Sequence, residues 1–506
     1  MKLLLHKFLV LLFLLTALDL HSQKLVILHT NDSHSQIDPA DNDQGGILRR
    51  KALIDSVKSQ NPYVMLVDAG DAVQGTMYFT IYKGEVEYGM LDSLGYDFAV
   101  LGNHDFDNGA EALAQNLSKS KTTWLTANYD LNGAPGLDSV FEPYSIKEYG
   151  DKKIGVFGIN LVPEGMIAAG NYNGVVYQDA YERATETAHL LRNKHKADYV
   201  IAVTHIGYDG SVEPSDRKLA ARTHGIDLIV GGHSHTVLDP EKQTERYYWK
   251  HVNSKGDTVA VVQAGSRGAY LGEVVLDLKT GEMDYQLLPI DSRYDDRIDP
   301  ELNAVIEGYR SAVDSIMLIP VGRTARALTK NDAGLSNFLG EFVAQRGRDL
   351  TGLKVDMSIL NAGGIRRELP EGEITKGMII DMMPFNNRVV VVDIKGSDLL
   401  EAIQNVIGRG GFDGIGDGVT IIYNPENGMP VQIDLNGKTI EPEKHYILST
   451  IDYLYNGGDY MSMLPRAKEI ARSKNVLNED LVDYITSKWK GRLIDGDPVR
   501  RVRAAK

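Results

Sequence analysis

Short apolar runs separated by polar and glycine-rich stretches recur along the first half of the chain. Five of these runs have the length of buried strands in a parallel sheet. They cover residues 24–29, 63–67, 98–101, 199–203 and 227–230. Stretches at 84–94 and 180–195 have the spacing of helices, and further strands are expected at 259–262, 272–278 and 283–289. The alternation of strands and helices predicts an α/β fold.

Side chains that can bind a metal ion follow each of the five runs. After the third run comes the motif Gly102-Asn103-His104-Asp105-Phe106-Asp107, in which the glycine predicts a sharp turn. Ligands bind at the carboxyl ends of strands in α/β sheets, so we expect these side chains to lie together. The candidate metal ligands are Asp32, His34, Asp71, Asn103, His205, His233 and His235.

The number of these candidates bears on the kind of metal site. Seven nitrogen and oxygen ligands are more than one tetrahedral zinc ion uses, and they suit two ions that share a carboxylate. A single histidine at a strand end is more often a buried hydrogen-bonding residue than a ligand. Because the pattern repeats at five strand ends, it favours a two-metal site.

Length and charge narrow the possible partners. A chain of 506 residues is long enough for two to four domains. Its net charge of −15 argues against nucleic acid polymers or an anionic membrane as the main partner. The chain has no cysteine, and its basic stretch 499–503 offers no apolar tail. We therefore expect no disulfide and no stable membrane anchor.

Residues 1–22 have the pattern of a signal peptide. Lys2 and Lys7 precede the apolar run 8–18, which is too short to span a bilayer. We therefore expect the protein to be secreted, and the absence of cysteine favours the bacterial periplasm.

The strand-end motifs resemble the successive blocks of the calcineurin-like metallophosphatases. Their order and spacing resemble the secreted or periplasmic 5′-nucleotidase (UDP-sugar hydrolase) family. The resemblance implies an α/β (α+β) protein with an N-terminal β-sandwich flanked by helices, a linking helix and a smaller α/β C-terminal nucleotide-binding domain. The expected limits are 1–22 for the signal peptide, 23–295 for the metallophosphatase domain, 296–318 for the hinge and linking helix, and 319–506 for the C-terminal domain.

The same resemblance implies two divalent metal ions, and the mixture of Asp, Asn and His ligands suits zinc or manganese. One ion would be bound by Asp32, His34, Asp71 and His235, and the other by Asp71, Asn103, His205 and His233, with Asp71 bridging. The family can carry Gln where this chain has His235. His104 would stabilise the phosphoryl oxygens or protonate the leaving 5′-oxygen. Asp107 would orient the imidazole of His104 and keep it cationic.

Three motifs in the second half, at 361–366, 383–387 and 453–459, resemble blocks of the family's C-terminal domain. By this resemblance Phe385 and Tyr453 would stack on the base from opposite sides, and Asp459 would bind the ribose hydroxyls. The implied substrate-binding residues are Asn361, Arg366, Phe385, Asn387, Gly418, Tyr453 and Asp459.

The chain departs from the family pattern at two places in this half. A second substrate-binding Arg falls near Thr329 in the family, but only Lys330 is basic here, and Lys cannot supply the bidentate fork of Arg. Tyr453 stands where Phe is usual; it can stack equally well and adds a hydroxyl. These changes do not alter the expected type of reaction, but the preferred nucleotide cannot be predicted from the resemblance.

We therefore expect an extracytoplasmic dimetal phosphoesterase that hydrolyses nucleoside 5′-monophosphates, with UDP-sugars as further candidate substrates. Its partner would be a small nucleotide, and the sequence does not determine the oligomeric state. One alternative is a 2′,3′-cyclic nucleotide 2′-phosphodiesterase/3′-nucleotidase, which shares the metal ligands. A thiosulfohydrolase is disfavoured by Phe385 and Tyr453. A non-catalytic nucleotide-binding surface protein would usually have lost ligands that this chain retains.

Overall fold

A computed structural model describes residues 24–40, 42–168, 170–209 and 213–505. The predicted signal peptide, residues 1–22, lies outside the described residues. The chain divides into two compact units between Ser311 and Ala312. This boundary falls inside the helix Pro300–Met317. The domain limits given above remain predictions.

The first unit contains a mixed sheet of seven strands within its described residues. Its strands are β1 (Lys24–Thr30), β2 (Val64–Asp68), β3 (Phe98–Ala99), β4 (Thr123–Leu125), β6 (Phe141–Glu142), β14 (Tyr270–Asp277) and β15 (Met283–Pro289). They lie in the order β15-β14-β1-β2-β3-β4-β6. The strands from β1 to β6 pair in parallel, and β14 runs antiparallel to β1. Their apolar side chains are buried because the sheet is covered on both faces.

A second sheet packs against the first. It has six strands among the described residues of the unit. Its strands are β7 (Tyr144–Tyr149), β8 (Lys152–Asn160), β10 (Tyr199–His205), β11 (Leu228–Val230), β12 (Lys250–Val252) and β13 (Thr258–Val262). They lie in the order β12-β13-β11-β10-β8-β7. The approach is close at Gly158, where a Cβ atom would lie 2.3 Å from the carbonyl oxygen of Leu125. A short pair, β5 (Tyr129–Asp130) and β9 (Val176–Tyr177), lies beside the two sheets.

Helices complete the first unit. They are α1 (Ile47–Gln60), α2 (Met77–Tyr82), α3 (Glu85–Leu94), α4 (Ala110–Leu117), α5 (Ala180–Asn193), α6 (Asp216–Arg222) and, crossing the unit boundary, α7 (Pro300–Met317). The helices predicted at 84–94 and 180–195 are confirmed. Asp179 ends the preceding loop and starts α5, because its side chain accepts a hydrogen bond from Glu182 N at 2.9 Å.

The second unit is also mixed α/β. Its strands are β16 (Pro320–Thr324), β17 (Met357–Leu360), β18 (Gly372–Thr375), β19 (Val389–Lys395), β20 (Gly414–Ile415), β21 (Val419–Tyr423), β22 (Pro430–Leu435), β23 (His445–Ile451), β24 (Lys468–Arg472) and β25 (Val502–Ala504). The central sheet has the order β20-β17-β23-β19-β24. The helices are α8 (Ala333–Thr351), α9 (Lys376–Met382), α10 (Gly396–Gly408), α11 (Asp452–Tyr455) and α12 (Leu477–Asp483). No helix in the described part of the chain combines the length and the hydrophobicity that a membrane span requires.

Candidate active site

The candidate metal ligands lie where the parallel strands of the two sheets in the first unit end. Strands β1, β2 and β3 are neighbours in one sheet, and β10 and β11 are neighbours in the other. The predicted strand 98–101 is shorter than expected, because only Phe98 and Ala99 pair as β3. The loop after each strand therefore enters the same region of the unit, as the sequence predicted.

The backbone of these loops is unusual. Five of the seven candidate ligands have left-handed φ angles, although none of them is a glycine. The angles are 48° for Asp32, 46° for His34, 53° for Asp71, 76° for His233 and 53° for His235. Such conformations cost about 1–3 kcal/mol each and concentrate at functional sites, where surrounding structure enforces them. Asp and His are among the non-glycine residues that tolerate this region best.

One group of candidate ligands consists of Asp32, His34 and His235. The Nε2 atoms of the two histidines lie 2.9 Å apart. Asp32 Oδ1 lies 3.9 Å from Nε2 of His34 and 3.4 Å from Nε2 of His235. Asp32 is fully buried and is held in place by Asn31 Nδ2, which donates to its Oδ2 at 2.6 Å. Three potential ligand atoms thus converge on one point.

A second group consists of Asp71, His205 and His233. Nε2 of His205 lies 3.2 Å from Asp71 Oδ2, and Nδ1 of His233 lies 2.9 Å from the side-chain oxygen of Asn103. The two groups adjoin, because Asp32 Oδ1 also lies 3.9 Å from His205 Nε2. The carboxylate of Asp71 lies with the ligand atoms of His205 and His233, so Asp71 belongs to this second group. That Asp71 bridges the two metal ions remains a prediction.

The residues fit a pair of metal ions. Nε2 of His205 is buried and makes no well-directed hydrogen bond among the described residues, although Asp71 Oδ2 lies 3.2 Å away, as expected for two atoms that bind the same ion. The other ring nitrogen, Nδ1, lies 2.6 Å from the carbonyl oxygen of Ala69, an outer contact of the kind that fixes the tautomer of a ligating histidine. Carboxylate, amide and imidazole ligands in this mixture suit zinc or manganese.

In the metal-free protein, burial and neighbouring charges shift the pKa values of the two histidines of the second group. Burial opposes a charge on His205, but the carboxylates of Asp71 and Asp32 outweigh it and raise the pKa of His205 to about 10. Burial and the neighbouring His205 lower the pKa of His233 to about 4. A metal ion that binds His205 must therefore displace a proton, whereas His233 is already neutral near pH 7.

His104 and Asp107 lie beside the two groups. Nδ1 of His104 lies 3.0 Å from Asp107 Oδ2, and the ring centroids of His104 and His34 are 5.4 Å apart. Burial disfavours a charge on the ring, but the hydrogen bond to Asp107 and the charge of Asp71 raise the pKa of His104 to about 9. The arrangement leaves Nε2 of His104 as the nitrogen that can donate to a substrate oxygen.

Gly102 and Asp105 fix this loop in ways that the sequence did not reveal. A Cβ atom at Gly102 would lie 2.0 Å from Oδ1 of Asp71, so the glycine permits close packing. Its φ is not left-handed, and the chain turns directly after it, at His104–Phe106. Glycine is therefore required here for the missing Cβ atom and not for an unusual backbone angle. Asp105 is buried and accepts hydrogen bonds from the backbone N–H groups of Gly102 at 2.7 Å and Asp71 at 3.2 Å. The hydroxyl of Tyr88 donates to its other oxygen at 2.8 Å.

Gln263 is a further residue that the sequence analysis missed. It directly follows β13 and is fully buried, and its Nε2 donates to the carbonyl oxygen of Gly232 at 2.8 Å. Its Oε1 accepts from Ser234 Oγ at 2.9 Å and from the backbone N–H of Thr236. One side chain therefore fastens the loop that carries His233 and His235. A polar residue at the end of an apolar run was the signal that could have identified it.

The second unit contains a cavity of about 340 Å³. Six of the seven predicted substrate-binding residues line it: Asn361, Arg366, Phe385, Asn387, Tyr453 and Asp459. The guanidinium carbon of Arg366 lies 5.1 Å from the centroid of the Phe385 ring. Asp459 accepts hydrogen bonds from Asn361 Nδ2 at 2.8 Å and from the hydroxyl of Tyr453 at 3.0 Å. The side-chain oxygen of Asn361 is buried without a hydrogen-bond partner in the described structure.

Gly418 is not among the residues that line this cavity. It precedes β21 with a φ of 75°, and a Cβ atom there would lie 2.2 Å from the side-chain oxygen of Asn436. Thr329 and Lys330 do not line the cavity either. They lie in the turn before α8, where Asp332 N donates to Thr329 O at 3.0 Å. Among the described residues that line the cavity, Arg366 is therefore the one with a positive charge.

Two family profiles match the chain. The profile of calcineurin-like phosphoesterases matches residues 25–237, and that of the 5′-nucleotidase C-terminal domain matches residues 314–466. The match confirms the predicted fold class. Calcineurin-like metallophosphatases bind two divalent metal ions, in agreement with the two groups of ligands described above.

Relatives cover most of the chain. It is 29% identical over 518 residues to the trifunctional nucleotide phosphoesterase protein YfkN of Bacillus subtilis (strain 168), which is 91% of this chain but only 33% of that protein's length. It is 28% identical to a 5′-nucleotidase of Bos taurus over 88% of this chain and 85% of the relative. The crystal structure of a 5′-nucleotidase precursor from Thermus thermophilus matches with a TM-score of 0.71 and 26% identity, over 96% of this chain and 99% of that one. The chain therefore belongs to the calcineurin-like phosphoesterases that carry a 5′-nucleotidase C-terminal domain, and it is a metal-dependent phosphoester hydrolase.

Proposed function

We propose that this protein hydrolyses nucleoside 5′-monophosphates to nucleoside and phosphate. The observation that carries the proposal is the cavity of the second unit, where two aromatic rings, a carboxylate and an amide lie together. This lining suits a nucleoside, because aromatic rings stack on a base and a carboxylate accepts hydrogen bonds from ribose hydroxyls. UDP-sugars, which also carry a nucleoside, are further candidate substrates.

The residues of the first unit would bind the phosphate and control its protons. Bound at the two groups, divalent ions of zinc or manganese would act as Lewis acids on the phosphoryl oxygens and supply a nucleophile by lowering the pKa of water. Asp32, His34 and His235 would hold one ion, Asn103, His205 and His233 would hold the other, and Asp71 would contribute to both. His104, oriented by Asp107, would hold a proton at Nε2 and donate it to the leaving 5′-oxygen.

The residues of the second unit would select the nucleoside. Phe385 and Tyr453 both line the cavity, and aromatic rings bind bases by stacking irrespective of base identity. The carboxylate of Asp459 would accept hydrogen bonds from the ribose hydroxyls, and Arg366 would bind an oxygen of the substrate.

Phosphate release from a panel of AMP, UMP, UDP-glucose, 3′-AMP and 2′,3′-cyclic AMP, measured with added zinc or manganese, tests the proposal. We expect the highest kcat/KM for the 5′-monophosphates. Faster hydrolysis of 3′-AMP or the cyclic nucleotide would replace the proposal by a cyclic phosphodiesterase/3′-nucleotidase. No hydrolysis by protein with both ions bound would indicate a nucleotide-binding protein without catalysis.

The aromatic pair gives a second test. Phe385→Ala or Tyr453→Ala should weaken nucleotide binding by about 1–3 kcal/mol, the contribution of base stacking. Hydrolysis of p-nitrophenyl phosphate, which has no nucleobase, should change less. Tyr455→Ala is a matched control, because Tyr455 lies on the same short helix and packs against the core without lining the cavity. Equal losses on both substrates would show that the two rings serve core packing.

We further propose that the protein acts outside the cytoplasm. The support is the signal-peptide pattern of residues 1–22 and a relative, 29% identical, named as a snake venom 5′-nucleotidase of Crotalus adamanteus. Cell fractionation combined with mass spectrometry of the mature N-terminus tests this, and recovery of the intact chain in the cytoplasm would refute it.

A further inference from the structure

Two side chains at the end of helix α10 hold two consecutive peptide groups beside the nucleoside cavity. Asn405 Nδ2 donates to the carbonyl oxygen of Tyr460 at 2.7 Å, and Arg409 Nη1 donates to the carbonyl oxygen of Asp459 at 2.8 Å. Residues four apart at a helix end lie on the same face, so the two side chains can bind the same turn.

The peptide groups that they hold belong to residues in a strained conformation. Asp459 has a φ of 51° and Tyr460 a φ of 63°, and neither is a glycine. Two successive left-handed residues persist only where surrounding contacts enforce them. The side chain of Tyr460 is 87% exposed, so its own packing contributes little to holding the turn. Asn361 and Tyr453 hold the carboxylate of Asp459, and the hydrogen bonds from Asn405 and Arg409 hold the backbone of the turn.

The same arginine is also connected to the turn that carries Asn361. Its Nη2 forms an ion pair with Asp413, whose side chain is 2% exposed. The other oxygen of Asp413 accepts a hydrogen bond from the backbone N–H of Ala362 at 3.0 Å. Ala362 follows Asn361, and Asn361 donates to the carboxylate of Asp459. Arg409 and Asp413 thus connect the two turns whose side chains meet in the cavity.

We propose that Arg409, assisted by Asn405 and Asp413, is a positioning residue that sets the carboxylate of Asp459 and thereby the discrimination between ribonucleotides and nucleotides that lack ribose hydroxyls. The inference rests on the proposed function and assigns Arg409 no contact with the substrate. Its physical basis is that a carboxylate discriminates by hydrogen bonding only if its direction is fixed before the ligand arrives.

The test is Arg409→Lys, which keeps the charge but cannot donate in two separate directions as the guanidinium does. We expect kcat/KM for AMP to fall about 10- to 100-fold, the equivalent of one or two lost hydrogen bonds to charged groups. The kcat/KM values for 2′,3′-dideoxy-AMP and p-nitrophenyl phosphate should stay close to those of the wild type. The ratio of AMP to dideoxy-AMP therefore falls, which a general loss of stability would not produce.

Arg501→Lys is the matched control. Arg501 also joins a carboxylate, that of Glu341, to a backbone carbonyl oxygen, that of Ile415 at 2.6 Å, but none of the three lines the cavity. This variant should keep the wild-type ratio. Asn405→Ala, at a half-buried position, is a second variant that tests the same inference should Arg409→Lys fail to fold, and it should lower the ratio in the same direction.

An unchanged ratio in a folded Arg409→Lys or Asn405→Ala protein, or an equal fall in Arg501→Lys, would overturn the inference. So would a wild-type protein that hydrolyses AMP and dideoxy-AMP equally well. Failure of the metal-loaded wild type to hydrolyse any nucleotide would instead overturn the proposed function, and with it this inference.

Discussion

Replacing Gln263 by Met tests whether the loop that carries His233 and His235 must be fastened from outside the metal site. The substitution preserves an unbranched side chain of similar length and removes its hydrogen bonds to Gly232, Ser234 and Thr236. None of these bonds involves a candidate metal ligand directly, so any effect on metal binding must pass through the loop.

The expected loss of stability depends on which hydrogen bonds each partner of Gln263 keeps after the substitution. The carbonyl oxygen of Gly232 still accepts from Gly207 N at 3.1 Å, and Ser234 Oγ still accepts from Tyr208 N at 3.0 Å. The Thr236 N–H loses the acceptor described for it. With each net hydrogen bond contributing about 1 kcal/mol and an unsatisfied donor costing more, the loop should lose about 2–4 kcal/mol. Loss of such outer contacts typically weakens metal binding about 10- to 100-fold.

The assay is competition for zinc or manganese against a chelator, with thermal unfolding measured in parallel. Asn253→Leu is the control, because the side chain of Asn253 is also a buried amide that makes three hydrogen bonds. Asn253 lies in the turn before β13, whereas Gln263 directly follows the other end of that strand. It should lower stability and leave metal affinity unchanged. Wild-type metal affinity in Gln263→Met would refute the reasoning.

Three further predictions concern the site itself. Asp71→Ala should lose bound metal and activity together, as measured by metal analysis and phosphate release; stoichiometric metal with near wild-type turnover would contradict the assignment. His104→Ala should keep both ions and lose roughly 10²–10⁴-fold in kcat, the range for one acid–base group, and loss of an ion would mean that His104 is a ligand. Since the pKa of His205 is raised to about 10 in the metal-free protein, metal binding at pH 8 should release about one proton, seen by calorimetry in buffers of different ionisation enthalpy. Because that proton competes with the ion, affinity should fall as the pH falls below 10, and no proton release at pH 8 would refute this.

The strand-end motifs were predictable because local chemistry and topology agree. Apolar runs such as 199–203 are buried strands, and side chains that directly follow parallel strands must meet at one edge. The aromatic and polar residues of the cavity in the second unit were identified because three short motifs resemble blocks of the family's C-terminal domain. In both places the relevant residues are close in sequence to a recognisable pattern.

Residues that act from a distance were not predictable in this way. Gln263 lies 31 residues from Gly232, and Arg409 lies 50 residues from Asp459, so no local pattern connects them. The left-handed conformations of the ligands also escaped prediction, because single non-glycine residues adopt them only under tertiary constraint. Gly418 shows the converse limit: a glycine can be identified from sequence, but its neighbour, here Asn436, cannot.

The left-handed backbone of the metal loops also determines where the site could be re-engineered. At Asp32, His34, Asp71, His233 and His235, exchange for a residue that tolerates this conformation poorly, such as a β-branched one, would add conformational strain to any change in ligand chemistry. Asn103, with a φ of −73°, and His205, at the end of a regular strand, carry no such constraint. Introducing a softer metal ligand, such as a cysteine thiolate, should therefore begin at these two positions. Both are candidate ligands of the same ion, so metal preference could be altered on one side of the pair while the other side keeps its native backbone.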